Sequence, residues 1–413
     1  MRFVALLVLT LPVTAYAGGL ARPNVFSALG IGIGGAGFAG VSNPTTIHYN
    51  PAGLILMRET VVLGGLEIIA APRSYTPLSG AREETVGGVS PVPSLGVSTR
   101  LAHRGGKGAL PLAMGLGFYN SFGGAVEFDD AAVTPGITRS SSVMLELVPS
   151  LAYQVTSQLS LGVGLRVGFG LFDLKNTERE GVTRAPSELA GSGVRVGFKG
   201  GLTYSPLRWL RLGVVYASPM EVEMKGEGHV EVNPGQPRPD NVTLTMPWPQ
   251  WAALGGALLL DPVTVYVGVR WIDWSSFQRV VLDLSVINDV VEELDFHDGV
   301  STHLGAEWRV MERLTLLGGF SFDSNTIPDK SVERQYFDAP KVTCAVGGSV
   351  RVWSTLVVDL AYEILLGPER EVPERSGTRH DAAGKPVEVE LNAAPGTYSS
   401  VIHSLGLSVR YSY

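Results

Sequence analysis

Ser301, His303 and Asp298 come nearer to a hydrolytic set than any other residues of this chain. A hydroxyl, an imidazole and a carboxylate can together activate a nucleophile and relay its proton. The three crowd at the start of one extended segment, but their spacing matches no motif for that chemistry. The seven histidines show no metal-ligand spacing. His297-Asp298 and His380-Asp381 are adjacent pairs, and neighbours in an extended chain point to opposite sides. Gly32-x-Gly34-x-x-Gly37 is formally a dinucleotide fingerprint. That fingerprint needs a preceding strand and a βαβ unit, which the sequence does not supply, so small residues packing against a wall explain it better. No cofactor and no metal is indicated. Arg166, Arg195, Lys199, Arg270 and Arg351 stand among glycines and serines, and Asp359 and Glu363 are natural partners for them. Asp129-Asp130 and Glu292-Glu293 read as solvated loop charges.

The elements that carry these residues share a period of two. Val401, His403, Leu405, Leu407, Val409, Tyr411 and Tyr413 fall on one face of an extended strand, and Ile402, Ser404, Gly406, Ser408, Arg410 and Ser412 on the other. An ordinary soluble strand has about five or six residues, whereas a strand tilted through a bilayer needs roughly 9–11. The same alternation recurs from Leu159 to Leu171, from Val194 to Tyr204, from Val263 to Trp271 and from Leu356 to Glu363. One face is greasy and the other small or polar. Arginines among glycines on the polar face suit a membrane barrel with its polar side inward. The pattern predicts a transmembrane antiparallel β-barrel of about fourteen strands, beginning near Thr60, Ser94, Leu110, Ser142, Leu159, Gly191, Arg208, Pro247, Val263, Gly299, Arg313, Pro340, Thr355 and Ser400. Tight turns at Thr156–Gln158, Ser205–Leu207, Asp261–Pro262, Met311–Glu312 and Trp353–Ser354 alternate with long segments, as short periplasmic turns alternate with external loops. An even strand number puts both termini in the periplasm. The seven tryptophans gather near strand ends, which suits interfacial girdles.

Composition agrees. Mean hydropathy is +0.19, yet no segment holds the roughly 18 apolar residues of a membrane helix. Charged residues make up 17 % of the chain, below the roughly 25 % of soluble domains. Glycine numbers 51 in 413 residues, well above its usual share of about 7 %, and suits a crowded, curved sheet. The single Cys344 excludes an internal disulfide and reads as packing. A net charge of −7 argues against nucleic acid as a partner. Arg2, the apolar run Phe3–Val13 and Ala15-Tyr16-Ala17 read as a secretory signal peptide over residues 1–17. Residues 18–58 follow without a strand pattern, and residues 59–413 form the expected barrel. The 18–58 segment is a natural plug for the lumen.

A small-residue run followed by Asn50-Pro51-Ala52-Gly53-Leu54 resembles the N-terminal hatch of the FadL/TodX family of outer-membrane transporters. Met114–Tyr119 with Phe122 and Gly123 resembles the family's third-strand region. Tyr204-Ser205-Pro206, Leu210–Gly213 and Tyr216–Pro219 resemble its mid-barrel hairpin. Pro247–Gln250 with Trp271-x-x-Trp274-Ser275 resembles its proline-led strand, and Ile327-Pro328-Asp329 a loop motif. Each piece is weak alone, but together, in order and at family spacing, they cover nearly the whole mature chain.

The resemblance implies a 14-stranded barrel in the bacterial outer membrane and uptake of long-chain fatty acids or other hydrophobic compounds. Loops capture the ligand, the lumen binds it, the hatch shifts, and the ligand leaves sideways at a kink in the third strand. Gly115, Gly117, Asn120, Gly123 and Gly124 could permit that kink, although barrel packing accounts for such glycines equally well. Asn50 and Pro51 would hold the hatch in preference to touching ligand. A fatty-acid carboxylate wants an Arg or Lys; Arg166, Arg195, Lys199, Arg270 and Arg351 are the luminal candidates. Lys175, Arg179, Arg184, Lys225 and Arg238 would be solvated or face lipopolysaccharide phosphates. The terminal Tyr413 resembles the aromatic end read by the barrel-assembly machinery. Two other readings stay open: a general diffusion porin, and a barrel enzyme built on Ser301, His303 and Asp298.

Overall fold

Alternation along the chain becomes a wall of fourteen strands in the computed structural model. It describes residues 26–78, 80–86, 89–102, 109–128, 137–176, 187–233, 236–285, 290–374, 376–380, 386–390 and 394–413. The signal-peptide region, Arg179, Arg184, Asp129, Asp130 and Asp381 lie outside the described residues. The strands are β1 Val61–Ala70, β2 Ser90–Ala102, β3 Ala109–Glu127, β4 Ile137–Gln154, β5 Leu159–Asn176, β6 Ser187–Leu207 and β7 Leu210–Ala217. The ring continues with β8 Trp251–Leu260, β9 Val263–Ile272, β10 Gly299–Met311, β11 Leu314–Asp323, β12 Lys341–Arg351, β13 Leu356–Leu366 and β14 Gly396–Ser412. Each pairs antiparallel with its neighbours, and β1 pairs with β14 from Val61↔Ser412 to Ala70↔His403, closing the barrel. Thr60 and Tyr413 then exchange two backbone hydrogen bonds, at 3.0 and 3.2 Å, to finish the seam.

The strand count and order match the reading of the sequence, with local differences. Ser205–Leu207 belongs to β6, and the chain reverses at Arg208 and Trp209. The strand expected near Pro247 starts at Trp251. Pro247 and Trp248 instead end a second strand, Gln236–Trp248, which pairs with Met220–Asn233. This hairpin stands on the long-loop end, where Arg279–Leu284 and Val290–Glu293 extend its sheet. Met220, Val222 and Met224 are buried while Glu221, Glu223 and Lys225 are exposed, the alternation of a strand with water on one side.

The outward face of the ring is apolar and bare: Val163, Val194, Leu254 and Val346 are 60–62 % exposed. That band suits lipid. Trp209, Trp271, Trp308 and Trp353 are exposed on the outside as a girdle would be, but Trp248, Trp251 and Trp274 are buried within.

The lumen is filled by residues 26–57, of which only Ser42 is exposed and Leu56 half-buried. They form the short helices α1 Ala28–Gly32 and α2 Thr46–Tyr49 and the 3₁₀ turns Gly37–Ala39 and Pro51–Leu56. Wall glycines let this backbone come close. A side chain at Gly162 would lie 2.2 Å from Ala52 N, and one at Gly319 would lie 2.1 Å from Gly34 N. Gly32, Gly34 and Gly37 pack against Leu317, the β11 backbone and Tyr49, and among the described residues they belong to no βαβ unit.

Candidate functional site

Asn50 ties the luminal segment to the wall. Its extended backbone precedes the turn Pro51–Leu56, and its Oδ1 accepts from Ala52 N at 3.1 Å, capping that turn. Proline at the first position of the turn fixes φ and gives up no needed donor. Asn50 Nδ2 donates towards three carbonyls: Phe38 O at 2.9 Å, Leu202 O at 3.0 Å and Val214 O at 3.3 Å. Leu202 and Val214 are partners on β6 and β7. Gly53 lies against Gly40 and Thr46, where a side chain would clash; Ala52 and Leu54 are fully buried.

The five expected cations part company. Arg166 is buried and forms a bidentate pair with Glu146, at 2.8 and 2.5 Å, while its third nitrogen donates to Ser218 O. Lys199 is buried beside them. Its Nζ donates to His48 O at 2.8 Å and Tyr119 Oη at 3.2 Å and lies 5.1 Å from the Trp251 ring centre. Arg270 is buried near Tyr49, and its Nε and one terminal nitrogen lack a hydrogen-bond partner among the described residues. Arg195 and Arg351 are exposed. Nearby, the Tyr49 hydroxyl is enclosed; burial, and then Glu363, push its pKa well up, so it stays neutral.

Above the luminal segment lies a buried apolar cluster that sequence reasoning missed. Met144, Met220, Met224 and Met246 pack with Phe122, Trp248, Trp251, Trp274, Phe277 and Phe296 in one buried cluster. The Phe122 and Trp248 rings meet tilted at 5.5 Å, and Phe277 and Phe296 stack at 5.3 Å. Methionine and aromatic rings make an adaptable apolar lining. The tryptophans were visible in the sequence, but nothing there separates an inward from an outward ring at a strand end.

β3 breaks away from β2 beside this cluster. The β2–β3 ladder stops at Leu95↔Phe118, and the β3–β4 register slips between Asn120 and Phe122. Gly123 follows with φ +151°, and a side chain there would meet Ser142 O at 2.9 Å. Beyond Phe118, residues on both faces of β3 are buried, so the strand turns into the barrel. One bridge, Thr85↔Phe128, rejoins it to the loop before β2. Gly115 and Gly117 sit lower, in the regular ladder, where their bare backbone receives Ile47. Gly124 is half-buried within the inward-turned stretch.

Ser301, His303 and Asp298 serve different partners. Ser301 Oγ donates to Asp323 at 2.5 Å, His303 Nδ1 lies 2.9 Å from Gly34 O, and Asp298 accepts from Trp271 and Ser275. Among the described residues, no three His, Cys, Asp or Glu side chains are grouped to hold a metal.

A family model described as "Outer membrane protein transport protein (OMPP1/FadL/TodX)" matches residues 8–413. The chain is 24 % identical to outer membrane protein P1 of Haemophilus influenzae over 349 residues, covering 73 % of this chain and 72 % of that one. It is 24 % identical to a 47 kDa outer membrane protein of Pasteurella multocida over 394 residues, covering 84 % and 87 %. Its fold is similar to that of a Pseudomonas aeruginosa FadL homologue, with TM-score 0.79 and 16 % identity over 96 % of this chain and 99 % of that one. It is also similar to the Pseudomonas putida toluene transporter TodX, with TM-score 0.76 and 16 % identity over 95 % and 99 %.

Proposed function

The chain belongs to the OMPP1/FadL/TodX family of outer-membrane transport proteins for hydrophobic compounds, and from that premise we propose that it takes up long-chain fatty acids or related hydrophobic molecules and releases them sideways into the membrane. The observation that carries this reading is the break in the wall, where β3 leaves β2 above Leu95↔Phe118 beside a lumen that residues 26–57 fill. An apolar tail costs about 0.8 kcal/mol per CH₂ to hold in water. A greasy route from cluster to bilayer avoids that cost, and a water-filled pore does not.

The external hairpin Met220–Trp248 and the loop strands Arg279–Leu284 and Val290–Glu293 capture the tail, and the methionine and aromatic cluster holds it. Lys199, whose Nζ is held by a carbonyl and a phenol, meets the carboxylate. That ammonium also grips His48 O, so an arriving anion competes for it and loosens the segment 18–58, which acts as a hatch. The ligand then passes the β3 break. Outer-membrane lipid receives it, and lipopolysaccharide surrounds the loop end.

Uptake of labelled oleate and toluene by cells carrying this protein as their sole transporter of this kind tests the reading. The double change Asn50→Ala/Pro51→Ala should alter uptake of at least one of them, with the folded barrel still present. Unchanged uptake of every hydrophobic probe, in that variant and on deletion of the protein, would remove its basis. A porin would instead keep a hydrated opening, yet here a backbone segment and an aromatic cluster occupy the lumen.

A further inference from the structure

A narrow, partly open cleft with free space of about 10 Å³, room for one hydroxyl or water, lies where the luminal segment meets β14, β1 and β2 and includes Asn120 of β3. Its lining includes Phe26, Ser27, Glu67, Ser94, Asn120 and Ser408. Most of these polar groups are already engaged. Ser27 Oγ pairs with Thr45 Oγ1 at 2.8 Å, Ser94 Oγ donates to Phe26 O at 2.6 Å, and Ser408 Oγ accepts from Ala28 N at 2.7 Å. Glu67 accepts a hydrogen bond from Ser404 Oγ.

Asn120 differs. It is 7 % exposed, and its Nδ2 has no hydrogen-bond partner among the described residues. By alternation with Met114, Leu116 and Phe118 it belongs to the outward face of β3, yet it is buried because the strand turns inward there. If the β2–β3 ladder ran on past Leu95↔Phe118, Asn120 would stand opposite Pro93; Glu67 stands opposite Val92 on the other side of β2. An unused amide donor and a carboxylate thus both line the cleft. A buried donor without a partner is costly until something accepts from it. A carboxylate beside it disfavours a second anion and accepts a proton donor.

We propose that this cleft is a head-group subsite for an uncharged hydroxyl-bearing amphiphile, such as a long-chain alcohol or an alkylphenol. The hydroxyl oxygen accepts from Asn120 Nδ2 and its proton points to the Glu67 side. The subsite rests on the proposed release through the β3 break and adds the class of ligand that the exit favours.

The test uses cells carrying the full chain in a lipopolysaccharide-covered outer membrane and follows labelled 1-dodecanol, dodecane and laurate. Heat-modifiable gel migration checks the amount of folded barrel. Asn120→Leu should lower 1-dodecanol uptake relative to dodecane by about five-fold, a typical effect of one hydrogen bond. Glu67→Gln, an independent variant, should raise laurate uptake relative to 1-dodecanol by about five-fold. A loss shared equally by alcohol and alkane in Asn120→Leu, or unchanged ratios in either variant, would overturn the subsite and leave the transport reading standing. If the unaltered protein carried none of the three probes, the transport reading itself would have failed and the subsite with it.

Discussion

At the scale of single residues, wall cations grip luminal carbonyls. Arg100 donates to Ile55 O and Arg211 to Gly40 O, both at 3.1 Å, as Lys199 does to His48 O at 2.8 Å. Of these three, Lys199 combines such a grip with aromatic neighbours, the rings of Tyr119 and Trp251. Lys199→Met should therefore lower oleate uptake roughly ten-fold, the loss of one charge-assisted hydrogen bond, and change toluene uptake little. Equal losses for both probes would show that Lys199 only supports the fold. Alternation placed Lys199 and Arg166 on the inner face. Their partners could not be read, because Glu146 and His48 come from segments 20 and 151 residues away. Register and the docking of the luminal segment decide which cation is neutralised, and neither is written in a local pattern. Arg195 and Arg351 share the alternation and are nonetheless exposed.

At the scale of elements, a strand is legible where one face meets lipid and the other a packed lumen, as along most of the ring. It is less legible above the membrane, where the hairpin Met220–Trp248 reverses the convention: its apolar side chains point in and its charges out. The β3 break is written only as a few glycines, and most of them do something else. Gly115 and Gly117 admit Ile47; Gly123, at φ +151°, belongs to the break itself. A side chain held in that backbone region costs on the order of 1–3 kcal/mol. Gly123→Val should therefore push β3 back towards a regular ladder with β2 and slow release into the bilayer. The expected result is ligand retained in the purified barrel, measured by mass spectrometry, with uptake reduced. Normal uptake by a fully assembled Gly123→Val barrel would separate the break from transport.

At the scale of the whole molecule, fourteen strands enclose more space than wall side chains can fill, since eight already make a filled barrel and 16–18 an open channel. The wall here is built to be covered. Gly162, Gly213, Gly305 and Gly319 present bare backbone inward, each within reach of luminal main chain, and Asn50 spans from that segment to β6 and β7. Residues 26–57 are thus part of the lumen's own packing, and their removal exposes glycine backbone and paired charges to water. In a planar bilayer the intact protein should show no large steady conductance, whereas a barrel lacking residues 26–57 should conduct steadily. A porin-like current from the intact protein would contradict uptake through the wall. A closed lumen in the shortened barrel, once its folding is established by heat-modifiable migration, would mean that the aromatic cluster and loops seal the pore without the luminal segment, and the hatch would have to be sought among them.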